Sequence, residues 1–149
     1  AARRGLDASR VWLALGRDAQ QRSDSKRAAA FFAKARLAPD ADADAGMPFV
    51  ISAELGQSLL AQGYTTAAAT SLAKAADLPD TFTAQTNLRQ DLGEVYRRRG
   101  ELLELAGDIA LRLGDNAAAL ERYTLASKLP SLDAGSSLLR LVYASALLG

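Results

Sequence analysis

The feature that most constrains the fold of this chain is an internal repeat that occurs three times. Each copy places small and large apolar residues in the same columns and closes with a proline. The first copy has Trp12, Leu15, Gly16, Ala19, Ala28, Phe32, Ala35 and Pro39. The second, 40 residues on, has Ser52, Leu55, Gly56, Leu59, Ala68, Leu72, Ala75 and Pro79. The third, 51 residues further, has Leu103, Ala106, Gly107, Ala110, Ala119, Tyr123, Ala126 and Pro130. Repeats of this length are typical of stacked helical architectures.

The spacing inside one copy predicts a pair of helices joined by a short turn. Residues three and four apart share one face of a helix, and both halves of each copy keep that spacing. Gly63 and Gly114 fall where a first helix must end, and glycine tolerates the left-handed conformation that stops a helix. In the first copy Asp24 or Ser25 is positioned to cap the second helix instead. The prolines then end the second helices, because proline cannot continue the hydrogen-bond ladder.

These columns resemble the tetratricopeptide repeat (TPR) family. The resemblance rests on W-x2-LG-x2-A from Trp12 to Ala19, A-x3-F-x2-A from Ala28 to Ala35, and LGD-x3-A-x3-Y-x2-A from Leu113 to Ala126. It covers about residues 8–40, 48–80 and 99–131, with a partial repeat or capping helix at 135–149. The resemblance implies one all-α domain, a TPR-like α-solenoid of antiparallel helical hairpins. The apolar C-terminal helix suggests that the chain is a slice of a longer protein.

The second and third copies are separated by more than a TPR spacing, which predicts an inserted or extended helix at about 82–99. Two arrangements fit this segment. Gly100 either breaks the chain after an unpaired helix, or one helix runs from about Thr83 to Leu113. A helical stripe continues across Gly100, and one glycine costs only about 1 kcal/mol within a helix, so we favour the long helix.

Composition excludes several classes of function. The chain of 149 residues has no Cys and no His, so it lacks the commonest catalytic base and the usual ligands of zinc. We expect no enzyme activity, no metal and no cofactor. A formal net charge of +1 without a dense basic face argues against nucleic-acid binding. No apolar run approaches the roughly 20 residues of a membrane span, so we expect no membrane insertion, and the compartment, bacterial cytoplasm or periplasm, stays open.

The resemblance implies a non-enzymatic protein–protein interaction scaffold that binds a peptide or amphipathic helix of another protein in a concave groove. When the groove positions of the TPR family are assigned to the matching columns of this sequence, the groove residues run from basic through apolar to acidic. Such a groove would orient a charged partner. The predicted partner-binding residues are Arg10, Leu13, Arg17, Gln20, Gln21, Val50, Gln57, Leu60, Glu101, Glu104 and Asp108.

Two alternative functions remain open. One is a structural spacer or assembly module of a bacterial envelope or exopolysaccharide export machine, where irregular TPR-like arrays are familiar. The other is a self-assembling module that associates through the apolar C-terminal helix, which carries Leu138, Leu139, Leu141, Val142, Tyr143, Ala146, Leu147 and Leu148.

Overall fold

The described part of the chain folds into eight helices. The computed structural model describes residues 8–39, 41, 45–79, 90–129 and 134–148. The helices are α1 (Ala8–Gln21), α2 (Ser25–Leu37), α3 (Met47–Ala61), α4 (Thr65–Ala75), α5 (Gln90–Arg97), α6 (Arg99–Arg112), α7 (Asn116–Ser127) and α8 (Ala134–Leu148). Within those ranges there is no strand, so the prediction of an all-α fold is confirmed.

Three helical hairpins form the body of the molecule. Helix α1 packs along α2, α3 along α4, and α6 along α7. The hairpins contact one another through α2 and α3 and through α4 and α6, while α8 packs on α7. Helix α5 does not belong to a hairpin. It lies between α4 and α6 in sequence, but it packs mainly on α3.

Each hairpin is built around a glycine that lets its two helices approach closely. A Cβ atom added to Gly16 would lie 2.4 Å from Phe32 Cε1. At Gly56 it would lie 2.8 Å from Leu72 Cγ, and at Gly107 it would lie 2.5 Å from Tyr123 Cε1.

The three large residues that face these glycines are buried. Any side chain larger than hydrogen on the first helix would therefore overlap the large residue on the second. The same contact recurs sixteen residues apart in every hairpin, which explains the glycine column of the repeat.

The turns within the hairpins follow the predicted chemistry. Gly63 and Gly114 have φ of 87° and 83°, the left-handed conformation predicted for them. In the first hairpin Ser23 takes this conformation with φ of 61°. Asp24 then caps α2 by accepting a hydrogen bond from the Arg27 backbone N–H at 3.1 Å, and Asp115 caps α7 in the same way. Helices α2 and α4 end before Pro39 and Pro79, and Pro130 lies outside the described residues.

The favoured long helix is interrupted, at Arg98 rather than at Gly100. Arg98 has φ of −94° and ψ of 6°, and Gly100 continues α6 as a buried helical residue. The neighbouring Arg99 turns inward, where its guanidinium donates to the carbonyls of Leu78 at 3.1 Å and Tyr96 at 3.0 Å. The break therefore coincides with a buried arginine that ties α6 to the segment following α4. Residues 82–89 of the predicted insertion lie outside the described residues.

One continuous core joins α1 through α7, and a smaller cluster attaches α8. The main core includes Phe32, Ile51, Leu72 and Leu102, all essentially inaccessible to solvent. In the smaller cluster, Ala144 of α8 packs with residues of α6 and α7, including Tyr123. Helix α8 thus buries a narrow strip and leaves its other side open.

Replacing Gly16 with Ala tests the close helix crossing. We expect the free energy of unfolding to fall by up to about 2 kcal/mol, because overpacking costs about 1–3 kcal/mol and the gain in helix propensity returns about 1 kcal/mol. Combining Gly16→Ala with Phe32→Leu should cost less than the sum of the single changes. Urea denaturation of the four proteins measures this coupling, and strictly additive costs would argue against the contact.

Candidate functional site

The surface where α1, α3 and α5 meet is the best-formed candidate site. We define the α5-binding surface as Arg17 of α1 together with Val50, Ala53, Glu54 and Gln57 of α3. These residues and the facing side chains of α5 and α6 enclose a cavity of about 30 Å³, which has room for only one or two water molecules. Helix α5 therefore lies almost directly on this surface.

The apolar side of α5 anchors it to the body of the protein. Leu92 and Val95 are buried members of the main core. Leu92 fills the space above Gly46 at the start of α3, where an added Cβ would lie 2.4 Å from Leu92 Cδ2. Val95 lines the small cavity together with Val50 and Ala53. Burying two such side chains stabilises the docked helix by several kcal/mol in total.

A charge contact fixes the beginning of α5. Asp91 accepts a hydrogen bond from the Arg17 guanidinium at 3.3 Å, and Arg17 also lies 3.7 Å from Glu54. Burial raises the pKa of Glu54, and the neighbouring Arg17 opposes this rise. Arg17 is thus shared between the chain's own carboxylates on α3 and α5. Beyond this contact, Arg17, Glu54, Asp91 and Glu94 line an open depression of about 440 Å³.

A second polar cluster joins α6, α7 and α8. Arg140 donates to Asp108 at 3.1 Å and to Glu104 at 3.0 Å. The Tyr123 hydroxyl donates to Asp108, and the Ser137 hydroxyl donates to Glu104. Burial, followed by the hydrogen bond to Asp108, raises the pKa of Tyr123, and the hydrogen bond to Asp108 raises the pKa of Arg140. Glu104 and Asp108 of α6 are therefore bound by α8.

The predicted groove residues divide into three groups in the structure. Leu13 and Val50 are 4% and 1% exposed and belong to the main core, and α5 contributes to the burial of Val50. Those that are half-buried are Arg17, Gln20, Gln57, Leu60, Glu104 and Asp108, and those that are exposed are Arg10, Gln21 and Glu101. Gln20 donates to the Ser58 hydroxyl at 3.1 Å and so bridges α1 and α3.

Several residues of the basic-to-acidic groove predicted from the sequence are paired within the chain. Its basic end at Arg17 is paired with Glu54 and Asp91, and its acidic end is paired with Arg140. Of its apolar middle, Val50 lies beneath α5. Asp91, Leu92 and Val95 of α5 were not among the predicted site residues, although an acidic residue followed by apolar residues one and four positions later is the pattern of an amphipathic helix.

Comparison with known proteins leaves the family open. No family model matches this chain, and no curated protein matches it at a significant level. None of the described helices is both long and apolar enough to cross a membrane. The part of the chain that the structure describes contains no group of three or more side chains arranged to hold a metal ion.

Charge reversal at Arg17 and Asp91 tests the docking of α5. Arg17→Glu should lower the free energy of unfolding by about 1 kcal/mol, because a half-exposed ion pair is worth at most about that much. Adding Asp91→Arg should restore part of the loss, since the pair is rebuilt with opposite signs. The matched control is Arg22→Glu, which breaks the exposed pair with Asp18 and should change stability little. Equal costs for Arg17→Glu and Arg22→Glu would contradict the docking contact.

Replacing Tyr123 with Phe tests the cluster around Asp108. The pKa of Tyr123 is raised above the unfolded value of 10.0, so the folded state holds its proton more tightly and stability falls as the pH rises above 10. Tyr123→Phe should cost about 1 kcal/mol at neutral pH through the lost hydrogen bond and should make that alkaline decline shallower. Tyr64→Phe, at an exposed tyrosine, serves as the control. An unchanged alkaline slope in Tyr123→Phe would argue against the buried hydrogen bond.

Proposed function

We propose that this chain is a TPR-like α-solenoid that acts as a non-enzymatic protein-interaction scaffold. Its ligand is an amphipathic helix of another protein, and the α5-binding surface is where that helix docks. The solenoid is supported by the order of packing, in which each hairpin contacts the next and repeats the same glycine crossing. Stacked repeats of this kind often use one continuous face to bind partners.

The observation that carries the proposal is the docking of α5. This eight-residue helix binds through two buried apolar residues, Leu92 and Val95, and one acidic residue, Asp91, which meets Arg17. Helices that lie in grooves are typically read through such anchors on one face. Helix α5 therefore serves as a template for the ligand, an acidic residue followed by apolar residues one and four positions later.

A partner helix must compete with α5 for this surface. Because α5 is tethered, its effective concentration at the surface is on the order of millimolar. The apparent affinity for an external helix is its intrinsic affinity multiplied by the fraction of molecules in which α5 is undocked. We propose that α5 acts as an internal competitor. The scaffold then binds only those partner helices whose affinity for the surface is high enough to displace the tethered α5.

A stapled peptide with the sequence of residues 90–98 tests this function. The staple replaces Gln90 and Glu94, which are exposed, and leaves Asp91, Leu92 and Val95 intact. We expect the peptide to bind the Asp91→Ala/Leu92→Ala chain at least about tenfold more tightly than the wild-type chain, because the internal competitor is weakened. Fluorescence anisotropy measures the affinity, and circular dichroism verifies that the variant keeps its helix content.

Two controls make this result specific. Gln90→Ala/Arg97→Ala alters only exposed positions of α5 and should leave peptide binding at the wild-type level. A peptide that carries Leu92→Asp and Val95→Asp should bind neither chain. The Asp91→Ala chain, which leaves the core untouched, should show a smaller shift in the same direction. A folded Asp91→Ala/Leu92→Ala chain that binds the peptide no better than wild type would overturn the proposal.

A further inference from the structure

One acidic side chain of α5 opposes the charge of the surface on which α5 docks. Glu94 of α5 and Glu54 of α3 line the same cavity of about 30 Å³ between the two helices. Both residues also line the open depression beside that cavity. Since two carboxylates at one junction repel each other, Glu94 weakens the docking that the apolar side of α5 provides.

Glu54 is the less exposed of these two carboxylates, and it is only partly neutralised. Its side chain is 23% exposed, and within the described residues its one ion pair is with Arg17 at 3.7 Å. The same guanidinium donates to Asp91 at 3.3 Å. Burial raises the pKa of Glu54, Arg17 opposes this rise, and the negative charge of Glu94 adds to it. A further positive charge beside Glu54 would therefore be favourable.

The second arginine that lines the cavity is held elsewhere. Arg98 donates through Nε and Nη2 to the two carboxylate oxygens of Glu101, each at 3.3 Å. In the part of the chain that the structure describes, Glu94 forms no ion pair with either arginine of the cavity. The position of Glu94 is thus where the ligand helix and the surface are poorly matched in charge.

A cation in place of Glu94 would satisfy both charges of the surface. It would pair with Glu54, and Arg17 would then be left to the acidic residue of the ligand helix. Residues three apart are neighbours on a helix surface, and Asp91 and Glu94 of α5 both line the depression beside Arg17 and Glu54. An acidic residue and a basic residue at this spacing would therefore reach the two opposite charges of the surface together.

We infer that the α5-binding surface selects partner helices that carry a lysine or arginine three residues after the acidic residue. The order along such a helix is acidic, apolar, any residue, basic, apolar. This preference rests on the proposed function, because it specifies the ligand of the same surface. Glu94 then keeps α5 a weak internal competitor, and a partner with the basic residue displaces α5 without needing a larger apolar contact.

Substitutions at position 94 of the full chain test the charge preference without any partner. Hydrogen–deuterium exchange of the α5 amides measures docking, because the amides exchange when α5 opens. We expect protection to increase from wild type to Glu94→Gln to Glu94→Lys, by about fivefold or more over the series, since repulsion is replaced by an ion pair. With Glu54→Gln in the same chain, the series should span less than about twofold, because the carboxylate that position 94 meets is gone.

The matched control makes the same charge change away from the surface. Glu121→Lys replaces an exposed acidic residue of α7 and should leave the protection of the α5 amides at the wild-type level. Protection that does not increase from wild type to Glu94→Lys, or that increases equally with and without Glu54→Gln, would overturn the inference.

A second set of stapled peptides of residues 90–98 tests the same preference in a partner. Here the staple replaces Gln90 and Arg97, which are exposed, and position 94 is natural, Glu94→Gln or Glu94→Lys. Against the Asp91→Ala/Leu92→Ala chain, the Glu94→Lys peptide should bind at least about fivefold more tightly than the natural one by fluorescence anisotropy. Adding Glu54→Gln to the chain should remove most of this difference.

The two measurements separate failure of the inference from failure of the proposed function. Peptides that bind with equal affinity whatever residue stands at position 94 would overturn the inference and leave the helix-binding surface intact. If no peptide binds, the proposed function fails, and the partner preference that rests on it fails as well, whatever the exchange series shows for α5 itself.

Discussion

The close crossing of the two helices in each hairpin is the contact on which the rest of the structure depends. Gly16, Gly56 and Gly107 each lie against a large buried residue of the following helix. With the helix axes this close, small alanines fill most of the remaining seam, and 32 alanines in the chain supply them. The crossings also orient α1, α3 and α6, which carry Arg17, Glu54, Glu104 and Asp108 of the two polar clusters. The positions of α1 and α3, which form the α5-binding surface, therefore depend on the crossings at Gly16 and Gly56.

Internal pairing dominates the electrostatics of the exposed faces. Arg17 is held by Glu54 and Asp91, while Glu104 and Asp108 are held by Arg140. Each pair is partly exposed, so its contribution to stability is modest and decreases as the salt concentration rises. Their larger effect is on orientation, because they fix where α5 and α8 dock. Docking of α5 covers the surface that a partner helix would use, whereas docking of α8 exposes an apolar strip.

The sequence was sufficient to predict the helices and the hairpins, but not which of their faces are covered by α5 and α8. Helical spacing, the turn residues at Gly63 and Gly114, and the cap at Asp24 are local signals, and the structure confirms each of them. Periodicity shows which face of a helix is apolar, yet it cannot tell whether that face meets solvent or an inserted helix. Leu13 and Val50 were therefore predicted as groove residues although they are buried. The break at Arg98 was not predicted either, and it coincides with a tertiary contact between Arg99 and Leu78 that no local pattern shows.

Hydrogen–deuterium exchange of the full chain tests most directly whether α5 and a partner helix use the same surface. The exchange of backbone amides is measured with and without a saturating amount of the stapled peptide of residues 90–98. We expect the amides of α5 to lose protection as the peptide binds, while those of α1 and α3 keep or gain it, because the peptide replaces α5. If the peptide binds and α5 keeps its protection, the two helices do not share a surface, which would contradict the proposed competition.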